Sequence, residues 1–207
     1  MGNTVLTSEE FDMALTGLGE SDTDICKILK LKGKPPFWVR KPGFATLVKI
    51  ILEQQVSLAS AKAAYDRLVE KLGILTPEVF LELDDVNLKR IGFSRQKTRY
   101  CRNLAKAVSD GSLVLGHLVD MDIENARAEL TKITGIGMWT ADIYLLMALR
   151  RPNIWSIGDI ALYRAVQHAK GLNARPNRKQ FVEIGEQWRP WRAVAARVLW
   201  HFYLSGM

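Results

Sequence analysis

Cysteine is scarce in this chain: only Cys26 and Cys101 occur among 207 residues. They lie far apart and no Cys-x-x-Cys pair exists, so a thiolate-held zinc or iron–sulfur centre is excluded. Both suit a reducing compartment as small buried hydrophobes. The three histidines, His117, His168 and His201, are equally scattered. No apolar run reaches the roughly 18 residues that would span a bilayer. The opening MGNTVLTSEE lacks the charged start and apolar run of a signal peptide, and Met1-Gly2 followed by Thr4 is only a weak lipidation pattern. The expectation is a soluble chain, cytoplasmic or nuclear, with no membrane partner and no obligate protein partner. Strand-type alternation is rare, and there is no internal repeat or low-complexity tract.

What is present is an ordinary globular composition, 48% hydrophobic and 25% charged, which argues against dominant disorder. Lys and Arg number 29 against 22 Asp and Glu, a formal net charge of +7. Such a balance favours polyanions, nucleic acid among them, without proving it. Helical periodicity runs through the chain. Thr7 to Glu10 opens a helix that Gly17 and Gly19 should end, and Ser21 to Asp24 caps a second. Lys30 to Pro42 is irregular and basic, with Phe37 and Trp38 able to wrap over a core. One long helix is expected from about Phe44 to Leu72. Shorter helices follow at Thr76-Pro77, Asp84-Asp85 and Ser94. Helices over Asp122 to Leu130 and Met138 to Leu149 flank a turn, and the second stops before Pro152. Further helices follow Asp159, cover Phe181 to Trp188, and run from Trp191 to Tyr203.

The turn between Leu130 and Thr140 carries the most information. Gly135 and Gly137, two glycines in three residues, permit a tight turn and a close backbone approach. Ile133 and Ile136 can pin it to the flanking helices. The second helix starts at once, so its first N–H groups point outward, where a DNA phosphate can accept them. A contact of that kind positions a duplex without reading its sequence. Taken alone, Gly-Ile-Gly reads as a plain helical corner closed by glycines.

Leu130 to Ala141, together with Asp159, resembles the helix–hairpin–helix (endonuclease III-like) superfamily of DNA glycosylases. Gly135 to Ala141 (Gly-Ile-Gly-Met-Trp-Thr-Ala), Ile51 to Ser57 and Trp188-Arg189-Pro190-Trp191-Arg192 are similar to elements of its DNA-3-methyladenine glycosylase II family. The resemblance runs from about residue 44 to the C-terminus. Some members carry an extra N-terminal β-rich domain, and only residues 1–43 precede the match here. The resemblance implies an all-α fold of two helical subdomains with the active-site cleft between them. One would span 46–149 and hold the hairpin; the other would be discontinuous, 1–45 plus 150–207.

The implied activity is removal of an alkylated purine of the 3-methyladenine type from double-stranded DNA. Asp159 matches the family's catalytic aspartate, whose carboxylate stabilises a cationic sugar and activates water; taken by itself it is a helix cap. Bifunctional relatives place a Schiff-base lysine two residues after the second hairpin glycine. Trp139 stands there, and Lys132 precedes the turn as a phosphate contact, so hydrolysis without strand cleavage is implied. Trp139 and Trp200 match pocket positions and Tyr144 is a weaker candidate; an indole face suits a positively charged purine. Gln54, Gln55 and Ser57 match the DNA-contacting segment, with Gln55 at the wedge position and otherwise a plain surface glutamine. Lys132, Thr134, Gly135, Ile136, Gly137 and Thr140 complete the DNA-binding set. The Thr134 and Ile136 carbonyls match a family site for a monovalent cation, Na+ or K+; no cofactor and no catalytic metal are implied. A glycosylase for other lesions and a non-catalytic helix–hairpin–helix DNA-binding module stay open as alternatives.

Overall fold

The computed structural model describes residues 4–207, so the Met1-Gly2 pattern lies outside the described residues. Twelve α-helices and one 3₁₀ turn (Leu115–Val119) make up the described chain, with no strand among them. Two compact units divide it, one holding residues 40–149 and the other residues 4–39 and 150–207.

The 40–149 unit is built around α3 (Phe44–Glu53), which packs on α4 (Leu58–Leu72), α7 (Arg95–Ser109) and α9 (Met138–Met147). Partners on several sides explain why α3 is apolar nearly all round, with Phe44, Leu47, Val48, Ile50, Ile51 and Leu52 buried. Truncating a fully buried residue such as Leu47 to Ala would cost about 2–5 kcal/mol. The short helices α5 (Pro77–Leu81) and α6 (Asp85–Ile91) start at Thr76 and Asp84, whose side chains accept N–H bonds from Val79 and Asn87. Both cover α7. α8 (Ile123–Thr131) lies against α9.

The long helix expected over 44–72 is two helices. α3 ends at Glu53, Gln55 takes a left-handed φ of 55°, and the Ser57 hydroxyl caps α4 by accepting the Ser60 N–H at 3.2 Å. Left-handed backbone is uncommon for a non-glycine residue, and apolar periodicity carries no trace of it.

In the other unit, α1 (Ser8–Ser21) opens with a capping box between Thr7 and Glu10. It runs through Gly17 and Gly19 rather than ending there. Its end is set by Asp22, which closes α1 and caps α2 (Thr23–Lys32) by accepting the Asp24 and Ile25 N–H groups. Gly19 instead lets Leu29 approach: a Cβ there would stand 3.3 Å from the Leu29 Cδ1. α10 (Ile160–Ala169) and α12 (Arg192–Leu204) pack on each other and on α2. α11 (Arg178–Glu186) stops short of Pro190, so Trp188 and Trp191 do not share one helix. Trp188 is a core residue whose indole N–H donates to Asp22 at 2.9 Å. Phe37 does wrap the core, stacked on Phe11 at 4.7 Å with the Arg197 guanidinium over its ring.

Candidate functional site

Residues 132–137 join α8 to α9, with Leu130 and Ile136 buried on either side. The two glycines play different parts. Gly135 has φ 108°, and a Cβ on it would stand 2.3 Å from Cγ of Tyr100, so only glycine fits. Gly137 has ordinary extended backbone (φ −90°, ψ 179°), and nothing lies within 4 Å of where its Cβ would be. Folding makes little demand for glycine there. What it does is leave the N-terminus of α9 unobstructed, and no side chain caps that end. Such a terminus is suited to an approaching anion.

The other hairpin residues divide by exposure. Lys132 and Thr134 are exposed. Lys132 pairs with Glu129 at 2.6 Å, and an exposed pair of this kind is worth only about 0–1 kcal/mol, so a phosphate can compete for it. Thr140 is 1% exposed and accepts a hydrogen bond from Gln54, so its side chain braces the hairpin and presents nothing to DNA. The Ile136 side chain is also buried, leaving its backbone as the only part able to meet a ligand. The Thr134 and Ile136 carbonyls are neutral oxygen donors, and no His, Cys, Asp and Glu cluster able to hold a metal exists among the described residues. That donor set fits a weakly held monovalent cation better than a divalent one.

The turn between α3 and α4 is tied to the hairpin from beneath. The Gln54 amide donates to the Gly135 carbonyl and the Thr140 hydroxyl, both at 2.9 Å. The Lys97 ammonium donates to the Leu52 carbonyl and satisfies the end of α3; burial holds its pKa below the ordinary lysine value. Gln55 and Val56 are left exposed at the tip. Gln54 thus faces the hairpin, while Gln55 projects from a bend instead of lying along a helix.

Three hairpin supports were not singled out from sequence. Tyr100 on α7 packs against Gly135, and Asn103, one turn on, donates to the Thr134 carbonyl at 3.3 Å. Their i,i+3 spacing on one helix face was the available signal. Arg127 on α8 clamps the buried Asp142 on α9 at 2.8 Å, which fixes the two hairpin helices to each other. Burial would lower the Arg127 pKa, but the Asp142 and Glu124 carboxylates hold it above the ordinary value. Asp142 therefore has a structural partner. Tyr144 has no exposed surface and its hydroxyl accepts the Gly43 N–H at 3.0 Å, so it is a core residue and cannot line a pocket. Trp139 is half-buried.

In the other unit, Asp159 caps α10, its Oδ1 accepting the Leu162 N–H at 2.9 Å. The residue is 7% exposed. That bond orients the carboxylate. Trp200 lies on α12 and is also 7% exposed. Trp155, by contrast, is plainly structural: it stacks on Phe181, donates to that residue's carbonyl at 3.0 Å and leaves no room for a Cβ at Gly185.

An all-helical chain with an uncapped, glycine-opened hairpin and a helix-capping aspartate downstream has the make-up of a helix–hairpin–helix DNA-repair protein. Residues 48–190 match the HhH-GPD superfamily base excision DNA repair protein family, and the chain belongs to that family. It is 28% identical over 189 residues to the DNA-3-methyladenine glycosylase of Bacillus subtilis, covering 84% of this chain and 62% of that one. It is 25% identical over 201 residues to DNA-3-methyladenine glycosylase 1 of Schizosaccharomyces pombe, covering 95% and 87%. The crystal structure of a DNA-3-methyladenine glycosidase from Bacillus halodurans is similar at a TM-score of 0.74 and 28% identity, over 90% of this chain and 87% of that one. The chain spans about two thirds or less of the length of the Bacillus subtilis relatives it matches, 66% and 62%.

Proposed function

We propose that the protein is a monofunctional DNA glycosylase of base excision repair, hydrolysing the N-glycosidic bond of alkylated purines of the 3-methyladenine type in duplex DNA. The observation that carries the reading is Asp159, an acidic helix cap held in one orientation, downstream of a hairpin built to accept phosphate, in a chain of the base excision family.

The hairpin holds the duplex through Gly135, Gly137, Thr134 and Lys132, and the first N–H groups of α9 face a phosphate. Gln55, projecting from its left-handed bend, fills the space left by the flipped nucleotide, with Ser57 beside it. Gln54 and Thr140 act indirectly by keeping the bend and the hairpin together. The electron pair of the C1′–N bond leaves with the purine, and the Asp159 carboxylate stabilises the cationic sugar. Water then adds its oxygen at C1′ and gives up a proton to Asp159. A purine that carries a positive charge is a good leaving group and stacks well on an indole, the part assigned to Trp139 and Trp200. No lysine occupies the second position of α9, so water rather than an amine is the nucleophile.

The test is product analysis on a methylated duplex. Free 3-methyladenine and an intact strand bearing an abasic site are expected, with no protein–DNA adduct trapped by borohydride. Release only from oxidised or deaminated duplexes would replace the substrate assignment. An adduct would overturn hydrolysis by water, and no release from any duplex would leave the non-catalytic DNA-binding reading.

A further inference from the structure

A surface groove of about 290 Å³ lies where α10 begins. Gly158 and Ile160, the neighbours of Asp159 in the chain, line it together with Tyr163, one turn along α10, and with Arg175 and Arg178. We infer that this groove is a second DNA-backbone site, in which Arg175 and Arg178 together hold a phosphate of the strand whose nucleotide is presented to Asp159. The inference rests on the glycosylase reading for the identity of that strand.

Charge is the first argument. Neither arginine forms a salt bridge among the described residues. The acidic groups of α11 are engaged elsewhere: Glu183 with Lys179 at 3.9 Å, and Glu186 with Arg189 and Arg192. Two guanidinium groups at one groove, with no carboxylate neutralising them, leave a local positive potential that a phosphodiester can satisfy with paired N–H donors. The two cations also converge. The Arg175 guanidinium lies 5.9 Å from the Tyr163 ring centre. Burial raises the pKa of the Tyr163 phenol, while Arg178 and Arg175 both pull against that rise, so both cations act on this ring.

At the start of α11 a capping box between Asn177 and Gln180 takes up the N–H groups of those two residues, and the binding is assigned to the arginine side chains. The lining next to Asp159 in the chain includes an aliphatic side chain, Ile160, which is 62% exposed. An exposed aliphatic face suits the apolar edge of a deoxyribose, and a phosphate follows each sugar along a strand. The groove thus matches a sugar–phosphate unit in both polarity and order.

The experiment uses a duplex containing a tetrahydrofuran abasic analogue, with binding measured by fluorescence anisotropy across a range of NaCl concentrations. The unmutated protein is compared with R175A/R178A. A control, K71A/K106A, removes the same charge from exposed positions in the last turns of α4 and α7. Losing one phosphate contact should lower the slope of log affinity against log salt by about 0.9. Affinity should fall roughly tenfold or more at fixed salt. R175K/R178K should recover most of the salt slope, which a fold defect would not allow. An unchanged slope in R175A/R178A, or the same change in the control, would overturn the inference. The two readings fail separately: absence of base release by the unmutated protein refutes the glycosylase, while the salt slope still decides the groove.

Discussion

The hairpin glycines allow folding and binding to be separated at two positions only one residue apart. In Gly135→Ala the backbone must hold φ 108°, a left-handed setting that costs an L-residue about 1–2 kcal/mol. The new methyl also stands 2.3 Å from Tyr100, and forcing the ring aside adds about 1–3 kcal/mol. Alanine's lower entropy in the unfolded chain returns about 0.4–1 kcal/mol. The net expectation is a loss of about 1–5 kcal/mol, which for a chain of this size lowers the melting temperature by about 2–20 °C. In Gly137→Ala the backbone is ordinary and the methyl enters open space. Alanine is a poorer helix cap than glycine by about 1 kcal/mol, an effect largely offset by the same entropy gain, so stability should stay within about 1 kcal/mol. Its methyl does, however, occupy the approach to the N-terminus of α9. Affinity should therefore fall for damaged and undamaged duplexes alike, because the partner there is a phosphate. Calorimetric melting and anisotropy on both duplexes read the two effects separately. Tyr100→Ala in the Gly135→Ala background should recover the steric part of the loss and leave the backbone part. Equal destabilisation by the two glycine substitutions would refute the division of roles. So would a Gly137→Ala protein that binds undamaged duplex normally.

Two further perturbations follow from the same packing. Gln54→Ala removes both bonds that tie the α3–α4 bend to the hairpin, and should cost about 1–3 kcal/mol in denaturant unfolding while weakening duplex binding; unchanged values for both would contradict the bracing role. The other concerns acid. Burial pushes the Asp22 carboxyl up, but hydrogen bonds from the Ile25 N–H, Lys170 and Trp188 hold it below the ordinary value of 3.8. A depressed carboxylate stabilises the fold fully above the ordinary value and loses that contribution as pH falls through its own lower pKa. The stability gap between the unmutated protein and D22N should thus be constant near neutrality and shrink below about pH 4; a gap that widened with acid would contradict the assignment.

Many of the helices were legible because they carry their own start signals: Thr7, Thr76, Asp84, Ser94 and Asp122 bond the N–H groups of their first turns. The glycine-rich hairpin was legible as a motif, but the unequal parts of its glycines were not. Gly135 is constrained by Tyr100, a residue 35 positions away. The break at Gln55 was hidden for a related reason. Apolar periodicity continues across it, and the bend is held by long-range bonds from Gln54 and Lys97. Tyr144 reads as an aromatic near the hairpin until Gly43 is seen to use its hydroxyl. Propensity and spacing report on near neighbours, whereas these features are set by contacts between distant segments.

The central claim is that the Asp159 carboxylate drives cleavage of the glycosidic bond, and Asp159→Asn tests it most directly. Asparagine caps a helix about as well as aspartate, so the Leu162 N–H keeps its partner and the fold should hold. Duplex binding should be largely retained. The single-turnover rate of 3-methyladenine release from a methylated duplex should fall by about 100-fold or more, the scale of losing a charge that acts mainly in the transition state. A folded Asp159→Asn protein that binds the duplex and releases the base at the unmutated rate would contradict the account.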